Sequence, residues 1–359
     1  MKAPMAESTA ALEVDGSIGE GGGQVLRSCL ALSLLTGKAL RIRNVRSRRP
    51  KPGLMSQHLR AVEAAATIGM ARTEGAHLGS QSLIFEPCGI RSGRFEFDIG
   101  TAGSTSLVLQ TILAPLSFGK ESSTVTVQGG THVPWSPCFH YLDLHWIPYM
   151  REIGFDVQLE MELAGFYPQG AGIVHAFVRP AARILPLSLI ERGALKRLQG
   201  ISAVANLDIS IAERQRIQAL RRLAERFPIV EITIAQMPSR FQGTMLLLIA
   251  EFEQSQCCYF GLGARGKPAE LVADEAVDQL FGFLGTDGAI DERLADQLML
   301  PLAFASGISE LRTSKVTQHL LTNAAVLRTC LSIDIQVKGD LGKPGLVHVK
   351  GIGPPRPRS

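Results

Sequence analysis

The chain has 359 residues, of which 45% are apolar and 19% are charged, a composition typical of an ordinary soluble globular protein. This length is sufficient for two or more hydrophobic cores, because domains commonly span roughly 100–200 residues. The formal net charge of +4 permits a polyanionic partner without requiring one. Local clustering of charge is therefore more informative than the total.

No stretch predicts a secretion signal or a membrane span. Residues 1–11 lack an uninterrupted apolar core, and no run approaches the roughly 18 apolar residues that a span requires. The six cysteines show neither zinc-binding spacing nor a disulfide framework, which favours a reducing compartment. We expect a cytoplasmic protein without membrane contact, whose ends, 1–11 and 354–359, are disordered tails.

Residues 12–85 predict a first structural unit. A strand and a glycine-rich loop precede an apolar helix at 24–36, which Gly37 ends in a position that favours a left-handed residue. A second strand, a helix at 57–68 ended by Gly69, and further strands follow. The predicted order is β-α-β-loop-α-β-β.

The same order recurs in residues 95–154 with a constant offset. Gly119 minus Gly37 is 82 positions, and His140 minus His58 is also 82, as expected after a duplication. A third copy begins with a helix at 294–306 that Gly307 ends, and its tripeptide 318–320, Gln-His-Leu, repeats the tripeptide 57–59. Each unit therefore carries a helix that begins beside a histidine.

Residues 186–280 break this pattern with a β-α-β-β-β-α order and apolar faces of their own. The sequence predicts an α+β fold, with a large domain of three repeated β-α-β-α-β-β units around a pseudo-threefold axis and this smaller inserted domain. Repeats one and two occupy 12–185, and repeat three occupies 281–353.

The glycine-rich loop contains the first candidate site residue. Its backbone N–H groups and the dipole of the following helix suit a phosphate, but it matches neither a Walker loop nor a Rossmann fingerprint. Glu20 would repel a phosphate unless a divalent cation lay between them, which makes it a candidate metal ligand. The alternative is a surface glutamate in a flexible turn.

A basic cluster follows this loop, and it is almost uncompensated by acidic residues before Glu63. It suits a nucleic-acid backbone or a nucleoside triphosphate, and a solvated loop is the alternative. Because aromatic residues are scarce here, phosphate contact is expected more than base reading. The cluster comprises Arg41, Arg43, Arg46, Arg48, Arg49, Lys51 and Arg60.

His319 is predicted to lie at a strand-to-helix junction, where ligands bind in α/β architectures. It is a candidate nucleophile or ligand, and a histidine that only caps the helix is the alternative. The chain lacks a Gly-x-Ser-x-Gly elbow, so serine hydrolysis fits poorly. Position alone does not say whether His58, His140 or His319 reacts.

Eight motifs in one order extend over almost the whole chain. They are GEGGGQVLR at 19–27, KPGL at 51–54, QHL at 57–59, GTAGS at 100–104, GGT at 129–131, GLGARGK at 261–267, LADQ at 294–297 and HLLTN at 319–323. With these motifs the chain resembles the RNA 3′-terminal phosphate cyclase family. That family has three repeated units and one inserted domain, in agreement with the predicted division.

The resemblance implies an ATP-dependent conversion of an RNA 3′-terminal phosphate to a 2′,3′-cyclic phosphate. His319 is expected to attack the α-phosphorus of ATP and form a covalent histidine-AMP. AMP would pass to the RNA phosphate, and the vicinal 2′-OH would displace it. Mg²⁺ or Mn²⁺ held by Glu20 would neutralise the triphosphate. ATP and RNA with a 3′-phosphate are the implied partners, and the chain is expected to be a monomer or a homodimer.

The resemblance also implies roles for nine further residues. The expected contacts to phosphate or to the RNA end are Arg27, Arg46, Arg49, Gln57 and His58. The expected nucleotide pocket comprises Gln110, Pro137, Arg293 and Asp296. Two positions depart from the family: Arg293 replaces a tyrosine that stacks on adenine, and His140 replaces an aspartate. A guanidinium also stacks on rings, but these departures put nucleotide selectivity and the binding of the metal or RNA end in question.

The sequence leaves two alternative functions open. The first is a non-catalytic, cyclase-like protein of ribosome assembly, which lacks the nucleophilic histidine, so His319 favours catalysis. The second is an enolpyruvyl-transferase-like enzyme, which shares repeated β-α units but acts on a small anion without a covalent nucleotide.

Overall fold

A computed structural model describes residues 11–355. The tails predicted to be disordered, 1–11 and 354–359, lie almost wholly outside this range. The mixed α and β content that the sequence predicts is confirmed, with helices packed on four mixed sheets. Within 11–355, no helix is long and apolar enough to cross a membrane.

The first sheet has the strand order β1-β2-β4-β3. The β1–β2 pair is parallel, and the other pairs are antiparallel. Its elements in chain order are β1 (Leu12–Asp15), α1 (Gly23–Thr36), β2 (Leu40–Arg43), α2 (Ser56–Gly69), β3 (Arg72–Glu74) and β4 (Leu83–Glu86).

The second sheet has the order β5-β6-β8-β7, again with one parallel pair followed by antiparallel pairs. Its elements are β5 (Arg94–Asp98), α3 (Thr105–Leu116), β6 (Ser123–Gly129), α4 (Phe139–Tyr141), a π-helical turn (Leu142–Trp146), α5 (Ile147–Glu152), β7 (Asp156–Leu163) and β8 (Gly172–Arg179).

A short strand, β9 (Ser188–Leu189), precedes a separate sheet of order β11-β10-β12-β13. Helices α6 and α7 pack on this sheet around a second apolar cluster. The elements are β10 (Leu195–Ala205), α6 (Ser210–Leu223), β11 (Glu231–Gln236), β12 (Gly243–Phe252), β13 (Gln256–Leu262) and α7 (Ala269–Leu284).

The fourth sheet has the strand order β15-β16-β14-β9. Strand β9 precedes the segment from β10 to α7 in the chain, whereas the other three strands follow it. Strand β9, which lies within the segment predicted as inserted, pairs in parallel with β14. The remaining elements are α8 (Glu292–Ala303), β14 (Ile308–Thr313), α9 (Gln318–Cys330), β15 (Asp334–Lys338) and β16 (Gly345–Lys350).

The second helix ends at Gly69, within one residue of the predicted end. Gly69 is the last residue of α2, and Met70 takes the left-handed position with φ 45°. A Cβ at Gly69 would lie 2.4 Å from Leu34 Cδ2. This glycine therefore serves the close packing of two helices, not a turn.

Helix α1 positions the site. Its leucine-rich sequence is buried along most of its length, as expected for a core helix. It packs against α2, α3 and α9, and α9 in turn packs against α8. The N-terminal residues of α1 therefore lie beside the start of α9 and the first turns of α8.

Candidate active site

His319 lies in the first turn of α9, at the junction predicted from the sequence. The Thr317 hydroxyl caps this helix by accepting a hydrogen bond from Leu320 N at 3.1 Å. The cap satisfies the helix end without the imidazole, and the His319 side chain is 56% exposed. A helix cap therefore does not explain the position of this ring.

Gln24 connects the His319 ring to a carboxylate. Its Nε2 donates to both oxygens of Asp296, at 2.8 and 2.9 Å, which directs its Oε1 to His319 Nδ1 at 2.8 Å. Since an amide oxygen only accepts, Nδ1 must carry a proton. In the neutral ring the lone pair is then on Nε2, the nitrogen on the opposite side. We call this hydrogen-bonded chain, His319–Gln24–Asp296, the relay.

The second turn of α9 holds the far end of the relay. Asn323 Nδ2 donates to the backbone oxygen of Asp296 at 3.0 Å, and Ser28 Oγ donates to Asn323 Oδ1 at 2.9 Å. Removal from water raises the pKa of the Asp296 carboxyl to about 6, although His319, Asn323 and Gln24 favour its ionised form. At neutral pH the relay therefore ends in a carboxylate.

Glu20 lies on the other side of the His319 ring. Its Oε2 is 3.3 Å from His319 Nε2 and 3.0 Å from Arg49 Nη2. The glycine-rich loop sits tightly on α9, because a Cβ at Gly19 would lie 2.1 Å from the Thr322 hydroxyl oxygen, which accepts from Glu20 N at 3.2 Å. This loop places a carboxylate beside Nε2.

A cation at Glu20 would depend on oxygens from outside the protein. Among residues 11–355, no three His, Cys, Asp or Glu side chains converge to hold a metal ion. Mg²⁺ is commonly bound by one or two carboxylates together with substrate phosphates. The Glu20 carboxylate fits a metal that arrives with a nucleotide.

His58 and Arg27 meet at the start of α1. A Cβ at Gly23 would lie 2.3 Å from His58 Nε2 and 3.0 Å from Arg27 Nη1. Burial, then Arg27 and Arg46, lower the pKa of His58 to about 3, so this ring is neutral at pH 7. Burial lowers the pKa of Arg27 to about 10, which still leaves its guanidinium charged.

Arg46 and Gln57, two further predicted phosphate contacts, also have partners within the protein. Arg46 Nη1 donates to the carbonyl oxygens of Lys51 and Gly53, both at 2.8 Å, and so braces its own loop. Gln57 Oε1 accepts from Ser104 N at 3.3 Å and joins α2 to the loop before α3.

A cavity of about 530 Å³ opens beside His319. The structure does not bring all of the predicted residues to it: Glu20, Arg46, Arg49, Gln57 and His58 do not line its wall. The predicted residues that do line it are Arg27, Gln110, Pro137, Arg293, Asp296 and His319.

The cavity wall contains buried polar atoms without hydrogen-bond partners. Buried polar groups in folded proteins are almost always paired, so such a concentration indicates a polar ligand. Arg293 is held by its neighbours: its guanidinium lies over Phe260 at 5.3 Å, and its Nη2 bonds Gln279 Oε1. The unpartnered atoms are Gln110 Nε2, Trp146 Nε1, Arg293 Nη1 and Gln297 Oε1.

Sequence reasoning missed Gln24, Trp146 and Gln297 as site residues. Gln24 lies within the motif GEGGGQVLR and Gln297 ends the motif LADQ, and membership of a motif was the available signal. His140, in contrast, lies off the cavity wall and its Nδ1 is 2.8 Å from His132 Nε2. Burial lowers the pKa of His140 to about 4, so it is a neutral buried partner of another histidine.

Comparison with known proteins decides the family. The model of the family described as RNA 3′-terminal phosphate cyclase matches residues 18–337. The chain belongs to the RNA 3′-terminal phosphate cyclase family. This confirms the resemblance drawn from the motifs.

Similar cyclases come from bacteria and archaea. The RNA 3′-terminal phosphate cyclase of Archaeoglobus fulgidus is 42% identical, covering 92% of this chain and 98% of the relative. That of Pseudomonas fluorescens is 44% identical, covering 91% and 94%. Among solved structures, the enolpyruvyl transferase NikO from Streptomyces tendae covers 96% of this chain and 82% of its own, with 12% identity and a TM-score of 0.26, too low to relate the two folds.

Proposed function

We propose that this family member uses ATP to convert an RNA 3′-terminal phosphate to a 2′,3′-cyclic phosphate through a covalent adenylate on His319 Nε2. The relay carries this proposal. Because Gln24 holds the proton on Nδ1, the neutral ring presents its lone pair at Nε2, beside Glu20.

In the first step, Nε2 attacks the α-phosphorus of ATP. The Nε2–P bond forms, the bond from the α-phosphorus to the bridging oxygen breaks, and pyrophosphate leaves with the electron pair. The ring becomes cationic while Nδ1 keeps its proton. Gln24 Oε1 and the Asp296 carboxylate behind it stabilise this charge.

In the second step, an oxygen of the RNA 3′-phosphate attacks the phosphorus of the adenylate and breaks its bond to Nε2. This returns a neutral His319 and leaves AMP joined to the RNA end as a phosphoanhydride. In the third step, the vicinal 2′-OH attacks the 3′-phosphorus, AMP departs, and the hydroxyl proton is released to solvent. The anhydride provides the leaving group that a free phosphate lacks.

Glu20 is the residue that would hold the divalent cation, Mg²⁺ or Mn²⁺. When bound, the cation would neutralise the triphosphate and stabilise the departing pyrophosphate. Glu20 also faces Nε2 directly, so a protonated ring would be held as an ion pair. Attack therefore requires the ring without its Nε2 proton.

Both cationic and neutral hydrogen-bond donors are suited to bind phosphate oxygens here. Arg27, charged and on the cavity wall, suits a phosphate of the nucleotide or of the RNA end. His58 is neutral, and its Nδ1 accepts from Met55 N at 3.3 Å, so its Nε2 carries a proton for donation to a phosphate oxygen. Arg49 contacts Glu20 and is suited to bind the negatively charged phosphates expected there.

We also propose the finer architecture expected from the sequence. Three units surround a pseudo-threefold axis, since three sheets share the strand order 1-2-4-3 along the chain, whereas the sheet of the inserted segment has the order 2-1-3-4. The sequence predicted an inserted domain at 186–280. We place its bounds at 190–284, because β9 pairs with β14 and α7 extends to Leu284, and a separate sheet and apolar cluster support the domain. We propose a cytoplasmic location.

The test uses a 5′-labelled RNA with a 3′-phosphate, together with ATP and Mg²⁺. The expected product has an end resistant to phosphatase, with one AMP and one pyrophosphate released for each end converted. A matched RNA whose terminal nucleotide lacks the 2′-OH should stop as the RNA adenylate. If ends stay phosphatase-sensitive while ATP is consumed, the assigned substrate is wrong.

A further inference from the structure

Trp135 presents a whole indole to solvent at the edge of the cavity. It is 99% exposed, more than any other large apolar side chain in residues 11–355, yet it lines the same cavity as His319. Such exposure is unusual, because a buried tryptophan covers roughly 150–250 Å² of surface. The other tryptophan, Trp146, follows the usual pattern and is 3% exposed.

The loop holds the indole in this position. Trp135 has φ 66°, in the left-handed region that a bulky side chain rarely adopts. Pro134 and Pro137 restrict the backbone on both sides, and Ser136 Oγ donates to Val133 O at 3.1 Å. Uncommon backbone conformations of this kind cluster at ligand-binding sites.

The nucleotide has its own partners inside the cavity. Gln110, Trp146, Arg293 and Gln297 each direct a buried, unpartnered polar atom to this wall. Trp135 lines the same cavity, but at 99% exposure its indole stands almost free of the protein, in contrast to these buried atoms. A ligand that covers Trp135 has to extend out of the cavity, as a polymer does.

Single-stranded RNA can contact both the indole at the cavity edge and the arginines beside His319. Its bases stack on aromatic side chains with little dependence on sequence, and its phosphates bind cations. On the His319 side, Arg48 Nη1 bonds Gly19 O at 2.8 Å and Arg49 contacts Glu20, so positive charge lies beside the reacting group. An aromatic surface at the edge complements that charge.

We propose that the indole of Trp135 stacks on a nucleobase at the 3′ end of the RNA. The inference rests on the proposed function in one respect, that this RNA end reaches His319. Trp135 is then a binding residue for RNA and takes no part in forming the covalent adenylate.

The test distinguishes a loss of RNA binding from a loss of reaction with ATP. Removing one base-stacking side chain costs about 1–3 kcal/mol, so Trp135→Ala should raise the KM for 3′-phosphorylated RNA by about 5- to 150-fold. Trp135→Phe should restore most of this loss. Self-labelling with α-labelled ATP in the absence of RNA should change less than twofold. Ile229→Ala, which alters another exposed apolar residue, is the matched control.

Indole fluorescence gives a second measurement that does not require turnover. Titration of the wild-type protein with the same RNA should quench the emission, and Trp135→Phe should abolish the quenching. An unchanged KM in Trp135→Ala, or an equal loss of self-labelling, would overturn the proposal. If the wild type neither self-labels nor cyclises RNA, the proposed function fails, and the titration still decides whether Trp135 binds RNA.

Discussion

His58 and His319 occupy equivalent places in sequence but opposite electrostatic environments. Each is the centre of a Gln-His-Leu tripeptide in the first turn of a helix, α2 or α9. His319 lies between the carboxylate of Glu20 and the relay that ends at Asp296. His58 lies beside two guanidinium groups, Arg27 and Arg46, which together with burial lower its pKa to about 3.

The neighbours decide what each ring can do. Acidic neighbours would stabilise the cation that the proposed attack by His319 Nε2 produces, whereas arginines would oppose the same charge on His58. A neutral His58 beside two cations remains suited to donate one hydrogen bond to an anion. The comparison teaches that a repeated motif fixes the place of a side chain, while contacts from distant segments assign its chemistry.

Neutralising Glu20 should cause the largest change on the His319 side. We expect Glu20→Gln to slow self-labelling with ATP and Mg²⁺ by about 100-fold, because the carboxylate that would hold the cation is lost. The measurement is the initial rate of labelling over a range of Mg²⁺ concentrations. Glu13→Gln, which alters an exposed carboxylate paired with Arg41, is the control. Wild-type rates in Glu20→Gln would remove Glu20 from the site.

The relay should contribute less than the carboxylate beside Nε2. Gln24→Leu removes the acceptor for Nδ1–H, and loss of ring orientation should slow self-labelling by about 10- to 100-fold. Gln24→Glu keeps an acceptor but places a second carboxylate beside Asp296, whose pKa is already raised to about 6 by burial. Because an added carboxylate favours the protonated ring, which cannot attack, the rate should peak at higher pH than in the wild type. A Gln24→Leu variant with the wild-type rate would show that the relay does not orient the ring.

The smallest expected effect is the contribution of His58 to the pH dependence of the free energy of unfolding. Its pKa lies near 3 in the folded protein, below the ordinary value of about 6.5, so the unfolded chain binds more protons between these values. The free energy of unfolding should thus fall as the pH falls from 6.5 towards 3. His140 acts in the same sense, while Asp296, with a raised pKa, acts in the opposite one.

His58→Gln should therefore lose less stability than the wild type between pH 7 and pH 5. Urea denaturation at the two pH values measures the difference. His77→Gln removes an exposed imidazole and is the control. If His58→Gln and the wild type lose equal stability, His58 does not have the buried, cation-flanked environment described.

The sequence was sufficient to predict the mixed α and β content and the junction that carries His319. The sequence also indicated Glu20 as a candidate metal ligand, because a carboxylate in a loop suited to phosphate would need a cation between the two charges. These are local signals: a periodic apolar pattern, a loop composition, a helix start. They need no knowledge of which segments meet.

The relay could not be predicted from the sequence, because its residues are far apart in the chain. Gln24 and Asp296 are separated by 272 positions, and Gln24 and His319 by 295. The role of Gly69 shows the same limit, since the approach of Leu34, rather than a turn, requires a glycine there. A contact between distant segments depends on packing, which local pattern does not encode.

The central claim is that His319, and neither of the other repeated histidines, forms the covalent adenylate. The most direct measurement is to incubate the protein with α-labelled ATP and Mg²⁺, digest it, and map the labelled peptide. We predict one label, labile to acid and stable to alkali, on the peptide containing His319, and none in His319→Ala. A label that persists in His319→Ala, or that maps to His58 or His140, would contradict the account.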